Sequence, residues 1–169
     1  MDNDTLPDWG RIVDTHAERV LRVALRVLGN AQDAEDASQE AFAEAFRLQQ
    51  RGRVQNWTGL LIRLATLRSL DALRRRRHSQ GLREEDWISR QEPFENAAAQ
   101  ELAQRLRHAI SRLPEQQAAV FAMCHFEHLS RAEICASLGI SSEAAATALY
   151  KARQRLQEQL AAIQQGDSR

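Results

Sequence analysis

The chain reads as all-α: two small helical domains joined by a flexible linker, the C-terminal one containing a helix-turn-helix. Three observations predict this. Ala, Leu, Arg, Gln and Glu dominate 169 residues that include only five Phe, one Tyr and three Trp, so most segments favour helix over strand. Apolar residues recur at three- and four-residue spacing on both sides of His78 to Asn96, a stretch that loses the period. Ser130-Arg-Ala-Glu133, followed by Gly139-Ile140, spells a capped helix, a sharp corner and a second helix.

The first helix runs from Trp9 to Leu28, with Ile12, Val13, Val20, Ala24 and Leu28 inward, and Gly29-Asn30 stops it. A second spans about Gln32 to Gln49, turning Ala34, Ala37, Ala41, Phe42, Ala45 and Phe46 inward. Asn56 or Thr58 can cap a third, which carries Leu60, Leu61, Leu64, Leu67 and Leu73 and ends in Arg74 to Arg77. The linker holds Gly81, Pro93 and five acids. From Ala97 a helix through Leu102, Leu106, Ala109, Ile110 and Leu113 meets Pro114, and Glu115 to His125 forms the next.

In the helix-turn-helix, Ile134 and Leu138 face inward, Gly139 supplies the left-handed corner and Ile140 plugs it. Cys135, four residues before the glycine, stands where the two helices touch and has to be small. Ser141-Ser142 can cap the recognition helix, whose inner face is Leu149, Ala152, Leu156 and Leu160. Its basic end, Lys151, Arg153 and Arg155, suits phosphates.

Lys plus Arg equals Asp plus Glu at 23 each, which by itself speaks against a nucleic-acid partner. The distribution reverses that. Asp33, Glu35, Asp36, Glu40 and Glu44 follow one another without a base, and nine arginines then lie between Arg47 and Arg77 against Asp71 alone. Asp33, Asp36, Glu40 and Glu44 recur at helical spacing, so they are predicted to form a stripe that repels phosphate and attracts a basic protein surface. The arginines offer cations to phosphates, and Trp57, at the start of an amphipathic helix, suits a core anchor more than a stacking platform.

Two cysteines build no disulfide scaffold, no apolar run approaches the length that crosses a bilayer, and the first residues do not read as a charged segment followed by an apolar core. A soluble, cytoplasmic protein without membrane insertion is expected. Cys124, His125, His128 and Cys135 invite a metal reading, but their order fits no zinc finger and both cysteines have packing roles. With no phosphate loop, nucleophile elbow or paired histidine and carboxylate set, no catalytic residue, metal, cofactor or small-molecule substrate is expected.

Together, DAEDASQEAF, WTGLLIRLATLRSLDALRRRR and LRHAISRLPEQQAAVFAMCHFEHLSRAEICASLGISSEAAATALYKARQRLQEQL make the chain resemble a bacterial RNA polymerase sigma factor of the extracytoplasmic-function (ECF) group, sigma-70 family. The resemblance implies a region 2-like domain in residues 1–78, a linker in 79–96 and a region 4-like domain in 97–169. It further implies binding to core RNA polymerase through Asp33, Glu35, Asp36, Gln39 and Glu40. The minus-ten element would be opened and read by Arg51, Arg53, Asn56, Trp57, Arg63, Arg68, Arg74 and Arg75. The minus-thirty-five duplex would meet Arg131, Ser142, Glu143, Ala146, Thr147, Lys151 and Arg153.

The chain departs from the family pattern in two places. Leu67 stands where an Asn usually precedes the conserved Asp by one turn, and Glu143-Ala-Ala-Ala-Thr147-Ala148 replaces most of the usual donors of the recognition helix. The partners implied are core polymerase, promoter DNA and, as the family allows, an anti-sigma factor. The alternative is a sigma-like DNA-binding regulator or decoy that forms no active holoenzyme.

Overall fold

The computed structural model describes residues 8–79 and 97–166, with side chains through residue 162; the expected linker, apart from Ser79, lies outside them. Seven helices and no strand occur among the described residues: α1 (Trp9–Leu28), α2 (Ala31–Arg51), α3 (Trp57–Ser79), α4 (Ala97–Ser111), α5 (Glu115–His125), α6 (Arg131–Leu138) and α7 (Ser142–Gly166). The all-α expectation holds.

Local chemistry sets the helix ends. The Asp8 side chain accepts from the Arg11 amide to start α1, and Gly29, at φ 75°, closes it by donating its N–H to Leu25 O. Asn30 Oδ1 accepts from the Asp33 amide at 2.8 Å and starts α2. Of the two candidates for α3, Asn56 is the cap, accepting from the Gly59 amide at 2.9 Å. A Cβ at position 59 would lie 2.8 Å from Asn56 Nδ2, so glycine there leaves room for the capping side chain. The third helix continues past the arginine run to Ser79.

The helices α1, α2 and α3 form one bundle around Ile12, Val20, Val23, Ala41, Ala45, Leu61 and Leu64. Small residues on α2, above all Ala34, Ala37, Ala41 and Ala45, let it lie close against its neighbours. Phe46, expected inward, is 41% exposed, and Leu102 on α4 is 57% exposed. Phe46 is instead the outer member of an aromatic group at the bundle end, with its ring centroid 5.1 Å from that of Trp9.

The remaining helices do not stand apart from this bundle. One apolar cluster contains Val27 and Leu28 of α1, Leu70 and Leu73 of α3, Ile110 of α4, Ala118 and Ala122 of α5, and Ala152 and Leu156 of α7. Across the same seam Arg107 donates from Nε to Val27 O at 3.2 Å. Burial, and then the neighbouring Arg76 charge, lowers the Arg107 pKa.

Between α6 and α7 the corner is built as expected. Ser130 Oγ accepts from the Glu133 amide at 3.2 Å, the Glu133 carboxylate accepts from the Ser130 amide at 2.7 Å, and Gly139 sits at φ 65°. These hydrogen bonds to Ser130 hold the Glu133 carboxyl below its ordinary pKa. A depressed carboxylate pKa stabilises the fold above the unfolded value, and that stabilisation is lost as pH falls through the folded one. Ser130→Ala is expected to lower stability by about 1 kcal/mol, read as a fall in Tm of roughly 2–4 °C by circular dichroism. The loss should shrink under acid, where the box is already open.

Candidate nucleic-acid and partner interfaces

The acidic helix divides into two faces. Glu44 pairs with Arg68 at 2.9 Å, Glu40 with Arg75 at 3.3 Å and Asp33 with Arg76 at 3.5 Å, so three of the four stripe acids turn toward α3. The reason is packing: the alanine seam sets α2 against α3, and acids flanking that seam meet the arginines opposite. Glu35, Asp36 and Gln39 lie on the solvent side and are exposed. Asp33, Asp36 and Glu40 of the predicted stripe line one cleft with Arg75 and Arg76, Glu44 is engaged by Arg68, and Glu35, which stood off the stripe, is exposed to solvent.

The arginines of α3 divide in the same way. Arg68 also meets Asp71 at 3.1 Å and Arg74 meets Asp71 at 3.5 Å, so their charge is locally balanced. Arg51, the last residue of α2, and Arg53, in the connection to α3, are exposed. Trp57 packs edge-on to Trp9 with centroids 5.9 Å apart, inside the cluster formed by Trp9, Phe42 and Phe46, which is the core role of the two considered. Leu67 is half-buried against the shared apolar cluster, so an apolar residue there meets apolar neighbours.

Arg63 and Asn56 line a groove of about 550 Å³ whose opposite wall is α6, with Glu133, Ala136 and Ser137. Arg63 Nε is buried there without a hydrogen-bond partner.

On α7, Ser141 Oγ accepts from the Ala144 amide at 3.1 Å and is the cap. Ser142, Glu143, Thr147, Lys151 and Arg153 are exposed, as is Arg131 at the start of α6. Ala145 and Ala148 are buried and Ala146 half-buried, so the alanine run is in large part the packing face of the helix-turn-helix. Tyr150, absent from the predicted set, is 61% exposed, and its hydroxyl accepts from Gln154 Nε2 at 2.9 Å. The signal was available: Glu143, Thr147, Tyr150 and Gln154 share one helix face by three- and four-residue spacing.

The basic end of α7 is tied back to α5. Arg153 donates from Nε and Nη2 to His125 Nε2 at 3.3 and 3.2 Å, and Arg155 donates to Gln117 Oε1 at 3.2 Å. Burial first, then the Arg153 and His128 charges, lower the His125 pKa. A depressed histidine pKa gives stability that is full above the unfolded value near 6.5 and fades as pH falls through the folded one. His125→Gln should flatten the stability profile of the chain between about pH 5 and 7, measured by denaturant midpoint.

Residues 12–79 match the family described as Sigma-70 region 2, and residues 103–156 match Sigma-70, region 4. The chain belongs to the sigma-70 family. Among the proteins it is similar to are ECF sigma factors. It is 34% identical over 165 residues to the ECF RNA polymerase sigma factor SigE of Mycolicibacterium smegmatis, covering 95% of this chain and 64% of that protein. It is 26% identical over 172 residues to SigW of Bacillus subtilis, covering 94% and 90%. The chain thus spans slightly under two thirds of one of these sigma factors and most of the other. In fold, this sigma-70 family member is similar to the sigma factor RpoE in its complex with the anti-sigma factor NepR from Bartonella quintana, with a TM-score of 0.58 at 17% identity over 90% of this chain and 96% of that one.

Among the described residues no helix is long and apolar enough to cross a membrane.

Proposed function

We propose that the chain is a cytoplasmic sigma factor that binds core RNA polymerase, directs it to particular promoters and assists their opening, without being a catalyst itself. The observation that carries this reading is the order of its parts: an outward acidic helix face, an arginine-rich helix packed beside it, then a capped helix-turn-helix. Glu35, Asp36 and Gln39, with Glu40 at the edge, form the face for the basic surface of core polymerase. Arg51, Arg53, Asn56 and Arg63 serve the unpaired minus-ten strand, and Arg68, Arg74 and Arg75 join them once their carboxylate partners are engaged elsewhere. Trp57 supports that surface from within the aromatic cluster. Ser142, Glu143, Thr147 and Lys151, with Tyr150 added, meet the minus-thirty-five duplex, while Ala146 offers only a methyl contact and Arg131 and Arg153 meet phosphates.

Residues 1–78 and 97–169 are the two functional domains and 79–96 their linker. An anti-sigma protein is a further partner, supported by likeness to a sigma factor found in such a complex. The test is run-off transcription with core polymerase on a genomic library, followed by sequencing of the start sites. Recurrent start sites preceded by a common pair of elements are expected; transcription indistinguishable from core alone would overturn the reading in favour of a regulator or decoy.

A further inference from the structure

We infer that Glu143 reads a cytosine in the minus-thirty-five duplex, so that a carboxylate selects the promoters of this chain. The inference rests on the sigma-factor reading above and names a base that its recognition helix requires. In a helix-turn-helix the first turns of the second helix meet the base edges of the major groove. Residues 142–149, the leading two turns of α7, carry only three polar side chains, Ser142, Glu143 and Thr147, and all three are exposed. Ala145 and Ala148 beside them are buried, and Ala144 and Ala146 are half-buried, so no long side chain competes with them for the bases.

Hydroxyls both donate and accept, so Ser142 and Thr147 tolerate several bases. A carboxylate only accepts, which makes Glu143 the one group of these turns with a one-sided demand. In the major groove, donors are offered by cytosine N4 and adenine N6. Adenine sets the acceptor N7 beside its donor, and that acceptor repels a carboxylate; cytosine carries none there. The usual readers of the other bases are missing or engaged. Lys151 is the first cation of α7 and lies beyond the leading turns, Arg153 donates to His125, and the amide of Gln154, a side chain suited to adenine, donates to the Tyr150 hydroxyl.

Glu143 is also spared from holding the fold. On α6 the acid of the first turn, Glu133, closes the box with Ser130. On α7 the cap is Ser141, which bonds the Ala144 amide, and the box position is that alanine. Among the described residues the Glu143 carboxylate has no hydrogen-bond or ion-pair partner. Brought to DNA, it is repelled by phosphates, and a cytosine amino group is the donor that offsets this at the leading end of the helix.

The test uses holoenzyme assembled from core RNA polymerase and the full-length chain. It transcribes a library that keeps a minus-ten element recovered from the start-site sequencing and randomises the minus-thirty-five element. At one position of one strand the wild type should enrich cytosine over each other base by about tenfold. Glu143→Gln should move that position to adenine, whose N6 and N7 an amide matches, and Glu143→Arg should move it to guanine. A change of base is a readout that a merely structural role would not give, since a damaged domain weakens every template alike. A wild-type element without a cytosine position, or variants whose preference there does not follow the substituted side chain, would overturn the inference. Failure of the sigma-factor reading registers differently, as no promoter-dependent transcript from any template. Selection of randomised duplex by the full-length chain alone then reads the same switch of base without polymerase.

Discussion

Replacing Glu35 and Asp36 together by lysine is expected to weaken binding to core RNA polymerase by roughly 30- to 100-fold, about 2–3 kcal/mol. Both side chains project into solvent from a helix whose opposite face is packed, so folding should be unaffected and the far-ultraviolet circular dichroism unchanged. Like charges brought together at a protein interface cost several kcal/mol when no counter-ion intervenes. Glu40→Lys is the informative comparison, because it sets a lysine beside Arg75. It should lose less core affinity, together with up to about 1 kcal/mol of stability from the broken surface pair. Competition against a labelled reference sigma factor for core measures both. Undiminished binding by the double variant would refute the assignment of this face.

The second large effect concerns Ile110, which is fully buried where α4 meets α1 and α3. Ile110→Ala removes three heavy atoms from a seam that cannot collapse around the gap without moving two bundles, and should cost about 2–5 kcal/mol. At roughly 2–4 °C per kcal/mol for a chain of this size, the Tm should fall by about 4–20 °C. Because the cluster includes Leu28, Leu70 and Leu73 from the first bundle, one cooperative transition should shift as a whole. Calorimetry would contradict this by resolving two transitions of which only one moves. Leu64→Ala, in the core of the first bundle alone, provides the reference for a loss of similar chemistry away from the seam.

Local order was legible in the residues themselves. The Ser130/Glu133 box, the Gly139 corner and the Gly29 stop, with Asn56 as one of two candidate caps, follow from short-range hydrogen bonding and backbone sterics, and none depends on how distant helices pack. Helix faces were legible where apolar and polar residues alternate cleanly, as along α1. They were misread where aromatic or leucine side chains lie at bundle ends: Phe46 and Leu102 are apolar yet exposed, since periodicity reports a preference and not the presence of a neighbour.

The surfaces were harder. Spacing placed Asp33, Asp36, Glu40 and Glu44 together, but which acids face outward depends on where α3 lies, and Arg68, Arg75 and Arg76 claim three of them. The alanine run in α7 looked like a loss of DNA contacts, whereas Ala145 and Ala148 are core positions. Tyr150 carries no charge, yet its helical register places it on the exposed face with Glu143 and Thr147.

From the sequence alone came the helices, their caps, the helix-turn-helix and the family resemblance, because each is written in neighbours a few residues apart. The tertiary structure alone decided that the two bundles share one apolar seam, that Arg107 caps α1 and Arg26 caps α5 across it, and which charges stay in water. The arginine caps join residues 80 to 101 positions apart, and no local rule of spacing carries information over that distance; only the burial of both apolar faces at once selects the arrangement.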